Sequence, residues 1–60
     1  MDPRQEKRLE REGWVKLTPA QQEQVAQGFD LRVALALVGS DCYEWLCDYR
    51  GRYEFVRRVA

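Results

Sequence analysis

Cys42, Cys47, Glu44, Asp48 and Ser40 are the residues of this 60-residue chain whose types and spacing come nearest to chemistry. Two thiolates hold a zinc ion only with further ligands, and C-x4-C is wider than the C-x-x-C of zinc and redox motifs. The chain has no histidine, so a common metal ligand and the commonest general base are both missing. Glu44 and Asp48 would share one face of a helix and could form a carboxylate pair for acid–base work. Each has arginines nearby in sequence, and ordinary ion pairing is the simpler reading. Ser40 has no base beside it. Gly13, Gly28, Gly39 and Gly51 are scattered and form no phosphate loop. The expectation is a non-enzymatic protein with no cofactor, no metal and no small-molecule substrate. Its cysteines are expected to be reduced, half-buried side chains.

The segment from Trp45 to Arg58 mixes Trp, Tyr and Arg, the residue types enriched at binding hot spots. Tyr and Arg can also stack on bases and contact phosphates. The plainest reading makes Trp45, Leu46, Tyr49, Tyr53 and Val56 core, with arginines on a solvated outer face. As a contact surface the segment offers Tyr49, Arg50, Arg52, Tyr53 and Arg57. Ten basic and ten acidic residues cancel. A general nucleic-acid binder draws its affinity from excess positive charge, so a protein partner is favoured over nucleic acid.

Two DNA-binding patterns can still be tested on the sequence. A helix-turn-helix would turn at Gly39-Ser40 and use residues 41–52 as the recognition helix. That helix would begin with Asp41 and Glu44, unfavourable beside phosphates. A strand-helix-helix dimer would pair Trp14 to Leu17 across a twofold axis, with Val15 and Leu17 inward and Trp14 and Lys16 outward, so that Lys16 is the single basic residue presented.

Something must position these residues, and the chain is short. A 60-residue domain buries only about 60% of its extended surface. Its composition, 45% hydrophobic and 33% charged, is neither disordered nor membrane-like. The longest apolar run is the six residues from Val33 to Val38, short of the roughly 20 needed to cross a bilayer. Met1 to Lys7 is followed by no apolar h-region. A cytoplasmic protein without membrane contact is expected.

Residues 2–12 predict a polar helix, with Asp2 as N-cap, Pro3 at the first position, Gln5 at the capping-box site and Gly13 as stop. Leu9 is its only apolar residue, so residues 1–13 read as a solvated arm beside a compact domain of residues 14–60. Thr18-Pro19-Ala20-Gln21 is the strongest local signal, a capping box that starts a helix. Gly28 can break the helix that follows, with Asp30 capping a second short one.

Phe29 to Val38 is greasy on nearly every side. As a helix it continues one stripe, Val25, Phe29, Val33 and Leu37, and opens another, Leu31, Leu35 and Val38. As a strand it alternates, with Leu31, Val33, Leu35 and Leu37 on one face. Leu and Ala content favours helix. Residues 41–58 are ambiguous in the same way. The helical reading is supported by Asp41 with Glu44 as an acidic capping box and by the i,i+4 pairs Asp48–Arg52, Arg50–Glu54 and Glu54–Arg58. A strand reading with a three-residue loop sets Asp48 opposite Glu54, like against like.

The predicted fold is therefore all-α: a polar N-terminal helix, then a hairpin of helices 18–38 and 41–58. The alternative is α+β, with N-terminal helices on a three-stranded antiparallel meander. The helical hairpin leaves Leu31, Leu35 and Val38 uncovered, which predicts a homodimer through them. The functional expectation is a small protein-binding regulator or inhibitor that occupies a surface of a partner; the alternative is a DNA-binding transcriptional regulator.

Overall fold

The computed structural model describes residues 2–59; Met1 and Ala60, the ends of the predicted arm and domain, lie outside them. Six elements follow in order: α1 (Pro3–Arg11), β1 (Val15–Lys16), α2 (Pro19–Ala26), α3 (Asp30–Val38), β2 (Tyr43–Cys47) and β3 (Tyr53–Arg58). The fold is α+β, and the all-α prediction is overturned. Residues 41–58 are not a helix but a β-hairpin, whose second strand also pairs with β1. The sheet is antiparallel, in the order β1-β3-β2.

The first two helices start where the sequence places them. Asp2 Oδ1 accepts the Arg4 N–H at 3.0 Å. The Thr18 hydroxyl accepts the Gln21 N–H at 3.2 Å, and the Gln21 side chain accepts the Thr18 N–H at 2.8 Å. Two orphan donors are thus satisfied reciprocally. Residues 18–38 are two helices rather than one. Gly28 adopts φ +99°, which a side chain would strain. The Phe29 N–H reaches back to the Gln24 carbonyl and the Gly28 N–H to that of Val25, a Schellman ending. The expected cap of the next helix is one residue off: Phe29 holds the N-cap position, and Asp30 is the first helical residue. The Asp30 carboxylate instead accepts the Tyr43 hydroxyl at 3.0 Å, tying α3 to β2.

β3 is the central strand and carries the two largest fully buried side chains, Phe55 and Val56. Consecutive strand residues point to opposite faces, so the sheet is buried on both sides along β3. On one side Val56 packs with Leu17, Val25, Val33 and Ala34. Val15, Leu37, Val38, Tyr43 and Trp45 close in around them. The other side carries Phe55 opposite Lys16 and Leu46, and Arg57 opposite Glu44. The Lys16 ammonium meets the Glu6 carboxylate of α1 at 2.6 Å on this side. That hydrogen bond is the main reason the Lys16 pKa lies above its ordinary value.

The register explains why the hairpin was hard to read. Its loop is Tyr49-Arg50-Gly51, one residue earlier than the alternation suggested. Asp48 therefore pairs with Arg52 through backbone hydrogen bonding, not with Glu54. The register then slips between Leu46 and Cys47: Leu46 lies opposite Phe55 but Cys47 lies opposite Tyr53. Glu54 is the extra residue of a β-bulge. The like-charge clash that argued against strands never forms.

Candidate interaction surfaces

The tip of the β2–β3 hairpin is built by one carboxylate. Asp48 Oδ1 accepts the backbone N–H of Arg50 at 2.8 Å and that of Arg52 at 2.9 Å. The Asp48 carbonyl accepts the Gly51 N–H at 3.0 Å. Gly51 takes φ +78°, the left-handed position that a three-residue hairpin loop requires. The Arg52 N–H first, then that of Arg50, holds the Asp48 carboxyl below its ordinary 3.8, and both guanidinium charges add to this. With Asp48 turned inward on the backbone, the side chains left outside are Tyr49, Arg50 and Arg52. Tyr49 is 89% exposed, and the Arg50 guanidinium lies 5.3 Å from its ring centroid.

Tyr53 belongs to the same end of the hairpin. Its ring stacks on Trp45, and Trp45 meets Tyr43 edge to face at 5.3 Å. This aromatic row continues into a groove of about 380 Å³ between α2 and the hairpin, lined by Gln22, Val25, Ala26, Gly51, Arg52 and Tyr53. The Gln22 amide closes its floor by donating to the Tyr53 carbonyl at 3.1 Å.

Of the five predicted contact residues, the structure brings four together: Tyr49, Arg50, Arg52 and Tyr53. Arg57 sits elsewhere, paired across the sheet with Glu44 on the opposite face. Its guanidinium donates to Glu44 Oε1, the Nε–H at 2.7 Å, and lies 4.5 Å from the Trp14 ring centroid. Sequence reasoning missed Trp14 as a partner of Arg57, because the two are brought together only by β1 joining β3.

A second surface lies on α3. Phe29, Leu31 and Leu35 are each close to half exposed and, with Gly28 and Arg32, line a hollow of about 330 Å³. Two members of the predicted self-association set, Leu31 and Leu35, are there. The third, Val38, packs on the core, and Phe29 takes the exposed place predicted for it. The chain breaks at Gly28 and Phe29 is the N-cap of α3, so Phe29 leaves the stripe of Val25, Val33 and Leu37.

Other candidates resolve simply. Glu44 lies in β2 and Asp48 in the turn, so they form no helical carboxylate pair. Cys42 and Cys47 are free and exposed, not half-buried. Among the described residues no three His, Cys, Asp or Glu side chains gather as metal ligands, and no helix is long and apolar enough to cross a membrane. The recognition helix of the helix-turn-helix pattern is absent, since residues 43–47 are a strand and 49–51 a loop. The strand-helix-helix pattern loses one edge of its ribbon, because β1 pairs with β3 of its own chain. Comparison with protein families, curated proteins and solved structures found no match for this chain.

Proposed function

We propose that this chain is a small, non-enzymatic protein-binding module whose hairpin tip inserts into an acidic recess of a partner protein. The observation that supports this best is Tyr49, 89% exposed on a loop whose backbone is pinned by Asp48. Tyr with flanking Arg is hot-spot composition. A loop already held in one shape loses little freedom on docking, which favours affinity. The arginines on either side set the sign of the recess, and Tyr53 with the adjoining groove offers apolar continuation.

The test is affinity capture from the host with the native chain and with a Tyr49→Ala/Arg52→Ala variant, each with and without nuclease. A single protein retained by the native chain, lost by the variant and indifferent to nuclease supports the reading. Equal recovery by both chains overturns the tip. Recovery that nuclease abolishes overturns the protein partner in favour of nucleic acid.

A further inference from the structure

We propose that the outer face of α1 is a phosphate-contacting stripe, in which Arg4, Lys7, Arg8 and Arg11 lie along one backbone of a DNA duplex and hold it without regard to sequence. The inference goes beyond the hairpin-tip reading, concerns a different element and shares no residue with it.

The stripe follows from the spacing. Positions 4, 7, 8 and 11 are i, i+3, i+4 and i+7 of a helix, so these side chains stand within an arc of about 100° and along about 10 Å of its axis. All four lie in α1 and are exposed. Among the described residues, none of their side chains makes a hydrogen bond or an ion pair. The acids of α1 are turned elsewhere. Glu6 binds the Lys16 ammonium, and Glu10 adds to the field that raises the Lys16 pKa, which puts both toward β1. Asp2 is spent on the Arg4 N–H. Ten acidic and ten basic residues thus balance over the whole chain while one helix face carries four cations.

This face works against its own helix. Arg4–Arg8 and Lys7–Arg11 are like-charge i,i+4 pairs, which destabilise a helix. Arg4 stands in the first turn, where the macrodipole opposes a cation. A polyanion laid along the stripe removes both penalties at once. Three of the four cations are arginines, whose planar fork suits phosphate.

What the stripe lacks selects the occupant. Its positions hold no apolar side chain, and Leu9 lies on the other side of the helix. A protein interface draws its affinity from a desolvated core with apolar or aromatic anchors, and exposed ion pairs alone contribute little. A duplex differs, because neutralising its phosphates releases condensed counterions and charge alone supplies affinity. The stripe is also narrow. Glu10, beside Lys7 and Arg11, and Glu12 flank it. A flat anionic membrane would meet these carboxylates together with the cations, and there is no apolar side chain to insert. A phosphate backbone is a line and can follow the cations alone. The stripe offers no aromatic ring to stack an unpaired base and no hydroxyl or amide to read a 2′-OH.

The test is fluorescence anisotropy of a labelled, mixed-sequence DNA duplex titrated with the full chain. In about 50 mM salt the Kd should be on the order of 100 μM, and log K should fall against log salt with a slope of about −3.6, from four contacts at about −0.9 each. Arg8→Gln and Arg11→Gln put a good helix former at exposed positions and should keep the native circular dichroism. Each should make the slope shallower by about one and weaken binding about tenfold. A duplex of different sequence should bind equally, and Tyr49→Ala/Arg52→Ala should bind as the native chain does. Absence of binding at low salt, or affinity and slope that both glutamine variants leave unchanged, overturns the stripe while the tip and its protein partner stand. Loss with the tip variant alone overturns the stripe and moves the nucleic-acid contact to the hairpin. Binding to vesicles of anionic lipid in place of the duplex, or tighter binding to a single strand or to duplex RNA, overturns duplex DNA as the occupant.

Discussion

The Tyr53 ring stacks on Trp45, 5.0 Å between centroids and 12° from parallel, although Phe55, two residues along the same strand, faces the other side of the sheet. The bulge at Glu54 makes this possible by turning Tyr53 over. It also converts a strand that would hide its aromatics on one side into one that supplies both.

Tyr53→Ala should therefore lose about 1 kcal/mol beyond the buried area of the ring, while Tyr53→Phe keeps most of it. Glu54→Ala should stay within about 0.5 kcal/mol of the native chain. Deleting Glu54 should be far worse, since a one-residue slip sends every side chain beyond it to the wrong face. Urea denaturation followed by Trp fluorescence separates these cases; a deletion as mild as the alanine variant would contradict the bulge.

The Arg57 guanidinium on Trp14, held by Glu44, links β1 to the hairpin. Arg57→Ala should cost about 1 kcal/mol. Arg57→Lys should not recover it, because an ammonium lacks the planar stack and the fixed fork. With Trp45 replaced by Phe, the emission of Trp14 should shift in both variants and report the loss directly.

Acid should loosen the hairpin tip. Asp48 has a lowered folded pKa, so its contribution is present above the unfolded value and is lost as pH falls through the folded one. The change begins below the ordinary 3.8 and completes at lower pH. The amide proton shifts of Arg50 and Arg52 should titrate together with that lowered midpoint. In Asp48→Asn, whose carbonyl oxygen can accept the same bonds, both amides should keep their shifts over this range. Titration at the ordinary aspartate value would show that the two N–H contacts do not persist in solution.

Thr18→Ala should cost about 1 kcal/mol by removing half of a reciprocal cap. Gln21→Ala should cost less, as the Thr18 hydroxyl keeps its own bond. Thermal or urea unfolding of the three chains checks the order.

These elements differ in how openly the sequence declares them. Thr18, Pro19 and Gln21 act within one turn, so their meaning survives in any context, and the same holds for Asp2 and Pro3. Gly28 was legible as a break because a left-handed residue is a local event. Residues 43–58 were not, since three of their signals pointed the wrong way. Asp48 and Arg52 suit a helical ion pair and equally a turn closed by backbone bonds. Trp45 and Val56 fit one helical stripe and also lie directly across two strands. The bulge at Glu54 leaves no mark on periodicity except to blur it. The hairpin-tip residues could be named from composition alone, and four of five converge. Arg57 falls outside the tip because composition carries no information about faces, and the bulge at Glu54 puts Tyr53 and Arg57 on opposite sides of the sheet.

The central position of β3 also bears on how the chain is made. It is last of the six elements in chain order, yet it is the strand partner of both β1 and β2 and supplies Val56 to the core under α2 and α3. A growing chain must therefore present Val15, Leu17, Val25 and Val33 unburied until residues 53–58 have been synthesised. The helices can form early, but the sheet cannot begin before its middle arrives. Such delayed, non-local pairing leaves apolar surface exposed until the last strand is in place.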